Sequence, residues 1–463
     1  MSFFDALRGF GAQTALIEDS GQSLTYAGLA QRADDLAAGI GSERQLVAIE
    51  CLNRIDSVAG LIAVLSGGHV GLLVDATLDE DLRTALYDVY PVSCRWRPGT
   101  DGRYALERCR EQAPDMHASL ALLLSTSGST GSPKLVRLTK DNLDRNAASI
   151  AEYLGLDRNE RPITTLPMSY SYGLSVINSH LRVGATLLLT DEPVTSRQFW
   201  DFFRERQATS FAGVPFTYQV LRRLRLERME LPSLHSFTQA GGRLDKDIVA
   251  FFAELAKSRG QRFFVMYGQT EATARISYLP PEQALLHPDS IGRAIPGGQL
   301  SLVDDAGQPI EATDTVGELI YSGPNVMLGY AVCADDLQLG DELRGRIATG
   351  DLAMRNADGL YFIRGRKKRF IKIVGNRVGL DEIEVFLAKQ GFVCAATGDD
   401  NALRVVVEGD GVEQVEALLR EHYRFHPSVF KVKSAAALPR NAAGKIQYGD
   451  ANALFEAAGQ VQG

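Results

Sequence analysis

The most informative segment of the sequence runs from Leu122 to Thr139 and reads LLLSTSGSTGSPKLVRLT. An apolar run typical of a buried strand leads directly into a loop of serine, threonine and glycine that ends in Pro133 and Lys134. Small residues let a backbone approach an anion closely, and consecutive N–H groups and hydroxyls can surround phosphate oxygens. A loop of this composition can also be an ordinary surface turn. The preceding strand and the Pro-Lys ending favour a phosphate site.

The rest of the chain predicts an α/β fold class. Short apolar runs typical of strands alternate with segments whose apolar residues follow helical spacing. Such alternation predicts a large N-terminal domain of mixed, mostly parallel sheets with helices. The strand candidates are 46–50, 120–124, 185–189, 263–266 and 319–321, and the helix candidates include 24–40, 196–207 and 245–257.

A domain boundary is predicted near Arg364, since 463 residues exceed one ordinary domain. Just before it, Asn356 to Gly359 (NADG) is a hairpin-turn signal. A dense basic run at 364–372 begins the next segment, although such a run is also typical of a solvated strand face. From residue 365 onward there are 14 Lys and Arg against 12 Asp and Glu, while the whole chain has a net charge of -8. We therefore expect a large domain at 1–364 and a small one at 365–463.

Composition excludes several classes of protein. The chain is 45% hydrophobic and 23% charged, so disorder, a collagen-like fibre and a disulfide scaffold are ruled out. The net charge of -8 and the pI of about 5.5 give no basis for binding nucleic acid by charge alone. Zinc-hydrolase, serine-esterase, Rossmann and Walker patterns are absent from the sequence.

Several features predict a cytoplasmic location. Five cysteines, an odd number, are scattered without CxxC spacing, which predicts free thiols in a reducing compartment. The opening residues MSFFDALRGF do not have the pattern of a secretory signal. The longest apolar stretch, Val58 to Val74, is broken by glycines, whereas a membrane span needs about 20 apolar residues in a row. It predicts a buried helix, a glycine turn and a short strand.

The glycine loop is followed by further motifs that together resemble the adenylate-forming superfamily. They are 266–272 (MYGQTEA), 317–330 (GELIYSGPNVMLGY), 349–352 (TGDL), 365–384 (GRKKRFIKIVGNRVGLDEIE) and 438–446 (LPRNAAGKI). Acyl-CoA synthetases, adenylation domains of peptide synthetases and luciferases belong to this superfamily, and the chain looks most similar to bacterial AMP-forming acyl-CoA synthetases. The resemblance covers nearly the whole chain and implies that the C-terminal domain is a small, mobile α+β domain.

The resemblance also implies a site for ATP. The loop residues Thr126, Ser127, Gly128, Ser129, Thr130 and Gly131, with Lys134, would hold the β- and γ-phosphates. Thr270 would contact the α-phosphate, and Glu271 would bind Mg²⁺, a hard cation that prefers oxygen ligands. The remaining ATP- and AMP-binding candidates are Gly241, Gly242, Tyr267, Gly268, Gln269, Asp351 and Arg366. Tyr267 and the glycine pair would lie beside adenine, and Asp351 and Arg366 would contact the ribose.

The C-terminal domain would carry the catalytic lysine, Lys445. A flexible ammonium group can reach a carboxylate and the α-phosphate together. By the same resemblance Lys368 is the hinge, and Gly375 lies beside the tunnel for the pantetheine arm, where a missing Cβ makes room. Tyr448 departs from the family pattern, because many relatives have arginine at that position.

The acyl pocket is predicted around 166–175 (LPMSYSYGLS). Amino-acid-activating relatives have an aspartate where this chain has Tyr170, and an α-ammonium buried without that partner is costly. An acyl or aryl acid is therefore favoured over an α-amino acid. By their position in the resemblance, the pocket candidates are Tyr170, Tyr172, Asn178, Phe211, Gly213 and Val214.

The resemblance implies an ATP- and Mg²⁺-dependent acid–thiol ligase. It would convert a small-molecule carboxylic acid to an acyl adenylate and then to a thioester with CoA. An alternative acceptor is the phosphopantetheine of an acyl or peptidyl carrier protein. A non-catalytic adenylate-binding protein and an oxygenase of luciferase type are two further alternatives. We expect no nucleic-acid partner and no membrane span.

Overall fold

The structure is a computed structural model that describes residues 2–125, 134–367, 369–373, 376–399, 402–423, 426–441 and 444–456. These residues form two compact units. The first comprises 2–125, 134–300 and 321–347, and the second comprises 301–320 and the described residues from 348 onward. The boundary near Arg364 stays a prediction, and so does the hinge at Lys368, which lies outside the described residues.

The described part of the chain forms 12 α-helices and 25 strands. The helices are α1 (Phe3–Ala6), α2 (Tyr26–Ile40), α3 (Ile55–Ser66), α4 (Glu80–Val89), α5 (Lys140–Leu154), α6 (Ser171–Arg182), α7 (Arg197–Glu205), α8 (Pro215–Arg223), α9 (Lys246–Ser258), α10 (Leu380–Lys389), α11 (Val412–Tyr423) and α12 (Tyr448–Glu456). The strands are β1 (Thr14–Glu18), β2 (Ser23–Thr25), β3 (Leu46–Cys51), β4 (Val70–Asp75), β5 (Cys94–Pro98), β6 (Tyr104–Arg108), β7 (Leu120–Ser125), β8 (Leu135–Thr139), β9 (Pro162–Ile163), β10 (Leu187–Leu189), β11 (Ser210–Gly213), β12 (Ser236–Gln239), β13 (Arg262–Tyr267), β14 (Ser277–Leu279), β15 (Arg293–Ala294), β16 (Gln299–Val303), β17 (Gly317–Ser322), β18 (Gly329–Ala331), β19 (Arg346–Arg355), β20 (Tyr361–Arg366), β21 (Phe370–Ile373), β22 (Asn376–Gly379), β23 (Cys394–Asp399), β24 (Ala402–Glu408) and β25 (Phe430–Ala435).

The first unit contains two large mixed sheets. A nine-stranded sheet has the order β15-β14-β13-β12-β11-β9-β10-β1-β2, and its strands from β13 to β1 are parallel. A seven-stranded sheet has the order β18-β8-β7-β4-β3-β5-β6, with β7, β4, β3 and β5 parallel. Antiparallel strands lie at the edges of both sheets. The α/β fold class with mostly parallel sheets is confirmed.

Local sequence explains where the elements begin and end. Helix α5 starts with a capping box between Thr139 and Asn142 and stops at Gly155, which adopts a left-handed conformation. The Val58–Val74 stretch folds as predicted into helix α3, a glycine turn and strand β4. All six residues of β3 are buried, which explains why that strand reads as a continuous apolar run.

The second unit contains smaller sheets. A four-stranded sheet in the order β16-β17-β19-β20 lies largely in this unit, and its β19–β20 hairpin turns at the predicted NADG sequence. Strands β21 and β22 form a hairpin, and β23, β24 and β25 form a three-stranded sheet. Helices α10 and α11 pack their apolar faces into a core with these strands.

Two further features concern the cysteines and the lengths of the helices. The five cysteines are free thiols, of which Cys51, Cys94 and Cys394 are buried. No α-helix in the described residues is both long enough and apolar enough to cross a membrane.

Candidate active site

The segment after strand β13 carries the motif residues of the first unit. Strand β13 ends at Tyr267, and a Cβ at Gly268 would lie 1.9 Å from the carbonyl oxygen of Ala274, so only glycine fits. A 3₁₀ turn at Thr270–Ala272 then presents Thr270 and Glu271. Tyr267, Gly268 and Gln269 are half-buried, and Thr270 is buried.

A single amide side chain fixes this segment. Asn325, which is 1% exposed, donates to the carbonyl oxygens of Ala272 and Arg275 at 2.8 Å each and accepts from the Tyr321 hydroxyl at 2.7 Å. The backbone carbonyl oxygen of Asn325 accepts from the Thr273 hydroxyl at 2.7 Å. Thr273 has a φ of 63°, which is rare for a β-branched residue. Asn325 therefore acts as a positioning residue that holds a strained turn in place.

Thr270 meets the predicted acyl-binding helix. Its Oγ1 lies 3.1 Å from Oγ of Ser171, the first residue of α6, in a buried environment. The turn that carries Thr270 and the helix that follows Tyr170 are thus joined by a hydroxyl pair. Ser171 lies in the quoted segment 166–175 but was not among the predicted pocket residues.

Glu271 belongs to a chain of polar contacts. Its Oε1 accepts from the Tyr330 hydroxyl at 2.8 Å, and the ammonium nitrogen of Lys134 lies 3.3 Å from the centre of the Tyr330 ring. Burial and the neighbouring Glu271 carboxylate both raise the pKa of Tyr330 above its ordinary value, so its hydroxyl stays a donor. The structure therefore brings two predicted residues to one tyrosine, with Lys134 over its ring and Glu271 at its hydroxyl.

The glycine turn at 241–242 lies against the predicted acyl pocket. Gly241 has a φ of +85°, and a Cβ there would come within 2.7 Å of the Tyr170 hydroxyl and 3.0 Å of Val214. Gly242 accepts from the Gln239 side chain at 2.9 Å. Because both φ and space require glycine at 241, Tyr170 and Val214 can approach the backbone of this turn.

The other pocket candidates pack against buried residues of the first unit. Tyr172 is fully buried and bonds Thr238, and burial raises its pKa to about 12. Asn178 lies on α6 and lines a small cavity. The Phe211 ring stacks on Phe237 with centroids 5.6 Å apart, and a Cβ at Gly213 would meet the Tyr218 ring at 2.7 Å.

The second unit holds the predicted ribose residues. Asp351, on strand β19, is 4% exposed, and its Oδ1 lies 3.0 Å from Nε of Arg366 on the paired strand β20. The Arg366 side chain is 63% exposed. The TGDL motif orients this carboxylate, because Thr349 Oγ1 accepts from the Asp351 backbone at 3.1 Å.

Lys445 lies in a tight loop of the same unit. Asn441 holds the loop closed, since its Oδ1 accepts from the Lys445 backbone and its N–H donates to the Lys445 carbonyl, both at 2.9 Å. Gly444 has a φ of +73°, and Arg440 pairs with Ile446 in an antiparallel bridge. The half-buried Lys445 is therefore held next to Asn441 by two hydrogen bonds of its backbone.

A charged cluster joins this region to helix α10. Arg369 binds Asp381 and Glu384, with 2.9 Å between its Nη2 and Glu384 Oε1, and its guanidinium lies 3.8 Å from the centre of the Tyr448 ring. The Tyr448 hydroxyl donates to Glu384 at 3.2 Å. Burial acts to lower the pKa of Arg369, but Glu384 and Asp381 raise it above its ordinary value. The unusual Tyr448 thus stacks on a paired cation.

Several predicted residues lie outside the described part of the chain. They are Thr126, Ser127, Gly128, Ser129, Thr130, Gly131, Lys368 and Gly375. Within the described residues, no group of three or more His, Cys, Asp or Glu side chains could hold a metal ion by itself. A magnesium site at Glu271 would therefore need oxygen ligands from another source, such as phosphates.

Sequence reasoning missed Tyr330, Asn325 and Arg275. All three lie in or next to quoted motifs, so position along the chain was the available signal. Their roles depend on contacts with residues 50 or more positions away or on burial, and no local pattern encodes these.

The two mixed sheets and the motif turns define an adenylate-forming enzyme fold. One solved structure is the o-succinylbenzoate coenzyme A synthetase from Bacillus subtilis, in complex with ATP and magnesium ion. It superposes with a TM-score of 0.79 at 22% identity and covers 97% of this chain and 99% of that one. The chain belongs to the AMP-binding enzyme family, whose model matches residues 83–331, more than half of its length.

Two curated relatives differ from each other in the thiol acceptor that their names give and in how much of this chain they match. The oxalate–CoA ligase of Arabidopsis thaliana is 27% identical over 71% of this chain and 66% of its own length. An L-proline–[L-prolyl-carrier protein] ligase of Pseudomonas fluorescens is 27% identical over 99% of this chain and 98% of its own. The relatives thus differ in both the acid and the thiol that their names give.

Proposed function

We propose that this protein is an AMP-forming acid–thiol ligase that activates a carboxylic acid with ATP and passes the acyl group to CoA. The observation that carries the proposal is the polar chain Lys134–Tyr330–Glu271 beside Thr270. It combines a cation, a fixed carboxylate and a hydroxyl at the motif that family members share. These are the groups needed to bring two anions together.

In the first step, a carboxylate oxygen attacks the α-phosphorus of ATP and pyrophosphate leaves. Lys134 would balance charge on the departing phosphates, and Thr270 would donate to an α-phosphate oxygen. Lys445 would bridge the carboxylate and the α-phosphate in the transition state. Gly241 and Gly242 would border the adenine, and Asp351 would accept from the ribose hydroxyls.

The Glu271 side chain fits a magnesium ion. It offers half-buried carboxylate oxygens, the ligand type that this cation prefers, and the Tyr330 hydroxyl fixes the direction of the carboxylate. A bound magnesium ion would neutralise part of the negative charge on the phosphates.

The acid is expected to have no α-ammonium group. The Tyr170 hydroxyl lies against the backbone of Gly241, and burial raises the pKa of Tyr170 while the nearby positive charge of Arg275 acts to lower it. An ammonium group placed there would meet a cation rather than a carboxylate. This favours an acyl or aryl acid over the amino acid named for the prolyl relative.

The second candidate acceptor is the phosphopantetheine of a carrier protein. The prolyl-carrier protein ligase aligns over 99% of this chain, which supports that alternative. CoA and a carrier share the pantetheine arm, so only transfer assays with each acceptor separate the two functions.

The test is acid-dependent pyrophosphate release with ATP and Mg²⁺, using a panel of fatty, aryl, hydroxy, dicarboxylic and amino acids. Lys445→Ala should lower the rate on the order of 10²–10³-fold, because it removes a transition-state contact. Lys389→Ala is the matched control, since Lys389 is an exposed lysine of the same unit on α10. Addition of CoA, or of a carrier protein that bears phosphopantetheine with a free thiol, then identifies the acceptor.

Two results would contradict the proposal. Lys445→Ala activity equal to that of wild type would remove the lysine from the reaction. If none of the acids in the panel causes pyrophosphate release and the protein still binds AMP tightly, a non-catalytic adenylate-binding protein is favoured instead.

A further inference from the structure

Arg275 is a buried cation next to the proposed acyl site. It lies four residues after Glu271 and is 3% exposed. Its surroundings are aromatic: the guanidinium carbon lies 3.9 Å from the centre of the Tyr172 ring, and its charge also acts on Tyr153 and Tyr170. Two of these three tyrosines are pocket candidates.

No carboxylate balances this charge among the residues that the structure describes, and Nε of Arg275 is buried without a hydrogen-bond partner there. The other two buried arginines are different. Arg83 pairs with Glu50 at 2.9 Å, and Arg137 binds Glu342. A buried charge without a counter-ion is costly, so proteins pair such groups. Arg275 is the exception within the described chain.

Arg275 also lines a cavity. The cavity lies between helices α5 and α6 and strands β11 and β12, and it has room for about one water molecule. Its wall includes Phe211, a predicted pocket residue, and Met266, whose unbranched side chain adapts easily to a ligand. The cavity therefore adjoins the proposed acyl site.

The cavity offers a second polar atom. His180 lies on its wall with Nδ1 2.8 Å from the carbonyl oxygen of Val176, and its Nε2 has no partner among the described residues. His180 Nε2 and Arg275 Nε are thus two buried polar atoms without a partner among the described residues, and both belong to residues that line this cavity. Water would not neutralise the guanidinium, so the charge still requires an anion.

We propose that the acid substrate carries a second carboxylate, which binds Arg275 as its counter-ion. This inference rests on the proposed ligase function and narrows its substrate to dicarboxylic acids. One carboxylate would react with ATP, and the other would pair with the guanidinium of Arg275 on the side of the Tyr172 ring and the proposed acyl site. Arg275 is then a specificity-determining residue, because it selects among acids without taking part in the bond changes.

The experiment compares acids of equal chain length in the pyrophosphate assay. Each aliphatic or aryl diacid is paired with its monoacid and its ω-hydroxy acid. Wild type should prefer the diacid over the monoacid in kcat/KM by about 10- to 100-fold, the range for a hydrogen bond to a charged group. Arg275→Met should abolish that preference, and Arg275→Lys should keep part of it.

Arg293→Met is the matched control. Arg293 also lies over a tyrosine, Tyr278, with 5.4 Å between its guanidinium carbon and the ring centre, but it is exposed. This control should keep the diacid preference of wild type. A purely structural role for Arg275 would lower the rates of all acids equally and leave their ratio unchanged, which would overturn the proposal.

The wild-type ratio tests the inference even if the Arg275 variants do not fold. A preference for the monoacid or the ω-hydroxy acid over the diacid would overturn the inference and leave the ligase function standing. Absence of pyrophosphate release with every acid would count against the ligase function itself, and the inference would fall with it.

Discussion

Two largely buried arginines stack on tyrosine rings at nearly the same distance, but their electrostatic surroundings differ. In the second unit, Arg369 lies 3.8 Å from the Tyr448 ring and binds two carboxylates, Asp381 and Glu384. In the first unit, Arg275 lies 3.9 Å from the Tyr172 ring and has no carboxylate partner among the described residues. The difference separates a cation that stabilises the fold from one whose counter-ion a ligand would supply.

The largest expected effect comes from breaking the paired cluster. Glu384→Ala leaves Arg369 with one carboxylate and should lower the free energy of unfolding of the second unit by about 3 kcal/mol. Both tryptophans, Trp96 and Trp200, lie in the first unit. The unfolding midpoint followed by circular dichroism should therefore shift to a lower urea concentration, while the midpoint followed by tryptophan fluorescence should stay the same.

Glu382→Ala is the control for this prediction, because Glu382 lies on the same helix and is exposed. If both substitutions lower the free energy of unfolding equally, the ion pair between Arg369 and Glu384 does not stabilise the second unit. The loss would then come from the change to helix α10 alone.

A second prediction concerns the proton on His180, whose protonation would add a positive charge to the cavity of Arg275. Burial lowers the pKa of His180 to about 4, against an ordinary value of 6.5. The unfolded chain therefore binds more protons between these values, and stability falls as pH decreases from 6.5 towards 4. When the pH is lowered from 7 to 5, the protonation of His180 in the unfolded chain should lower the free energy of unfolding of wild type by about 2 kcal/mol. His180→Gln lacks this loss.

The measurement is urea unfolding followed by tryptophan fluorescence at both pH values. Wild type and His180→Gln should converge in stability at pH 5, relative to their difference at pH 7. A pH-independent difference between them would show that His180 is not held neutral.

The smallest expected effect is on stability at Arg275. Since this charge has no carboxylate to lose, Arg275→Met should change the free energy of unfolding by no more than about 1 kcal/mol, with the lost ring contact offset by the removed charge. Arg369→Met, measured in parallel by circular dichroism, should cost clearly more. Equal losses in both variants would remove the distinction between the two arginines.

The sequence predicted the main elements well where an apolar run coincides with one element. Strands β3, β7 and β13 and helices α7 and α9 lie within one or two residues of their predicted bounds. The turn at 268–271 was also predictable, because the motif is continuous in sequence. Asp351 and Arg366 were both predicted, and strand pairing brings them together.

The contacts that distinguish the two arginines were not predictable. Arg275 follows one quoted motif and Arg369 lies within another, and nothing in their immediate neighbours tells a paired cation from an unpaired one. The difference arises from carboxylates 12 and 15 residues from Arg369 on helix α10 and from their absence around Arg275 in the described core. Charge balance in a core depends on tertiary packing, which a local pattern does not specify.

The nine-stranded sheet has a consequence for synthesis of the chain. Strand β1 pairs with β10 in parallel, so Leu16 meets Leu187 roughly 170 residues later. At about 5–20 residues per second, the ribosome takes on the order of 10–35 s to make that stretch. Until then β1 has only the short strand β2 as a sheet partner, and its apolar side chains remain exposed to solvent. Loops of this length make folding slow, so the nascent first unit should be a client for chaperones.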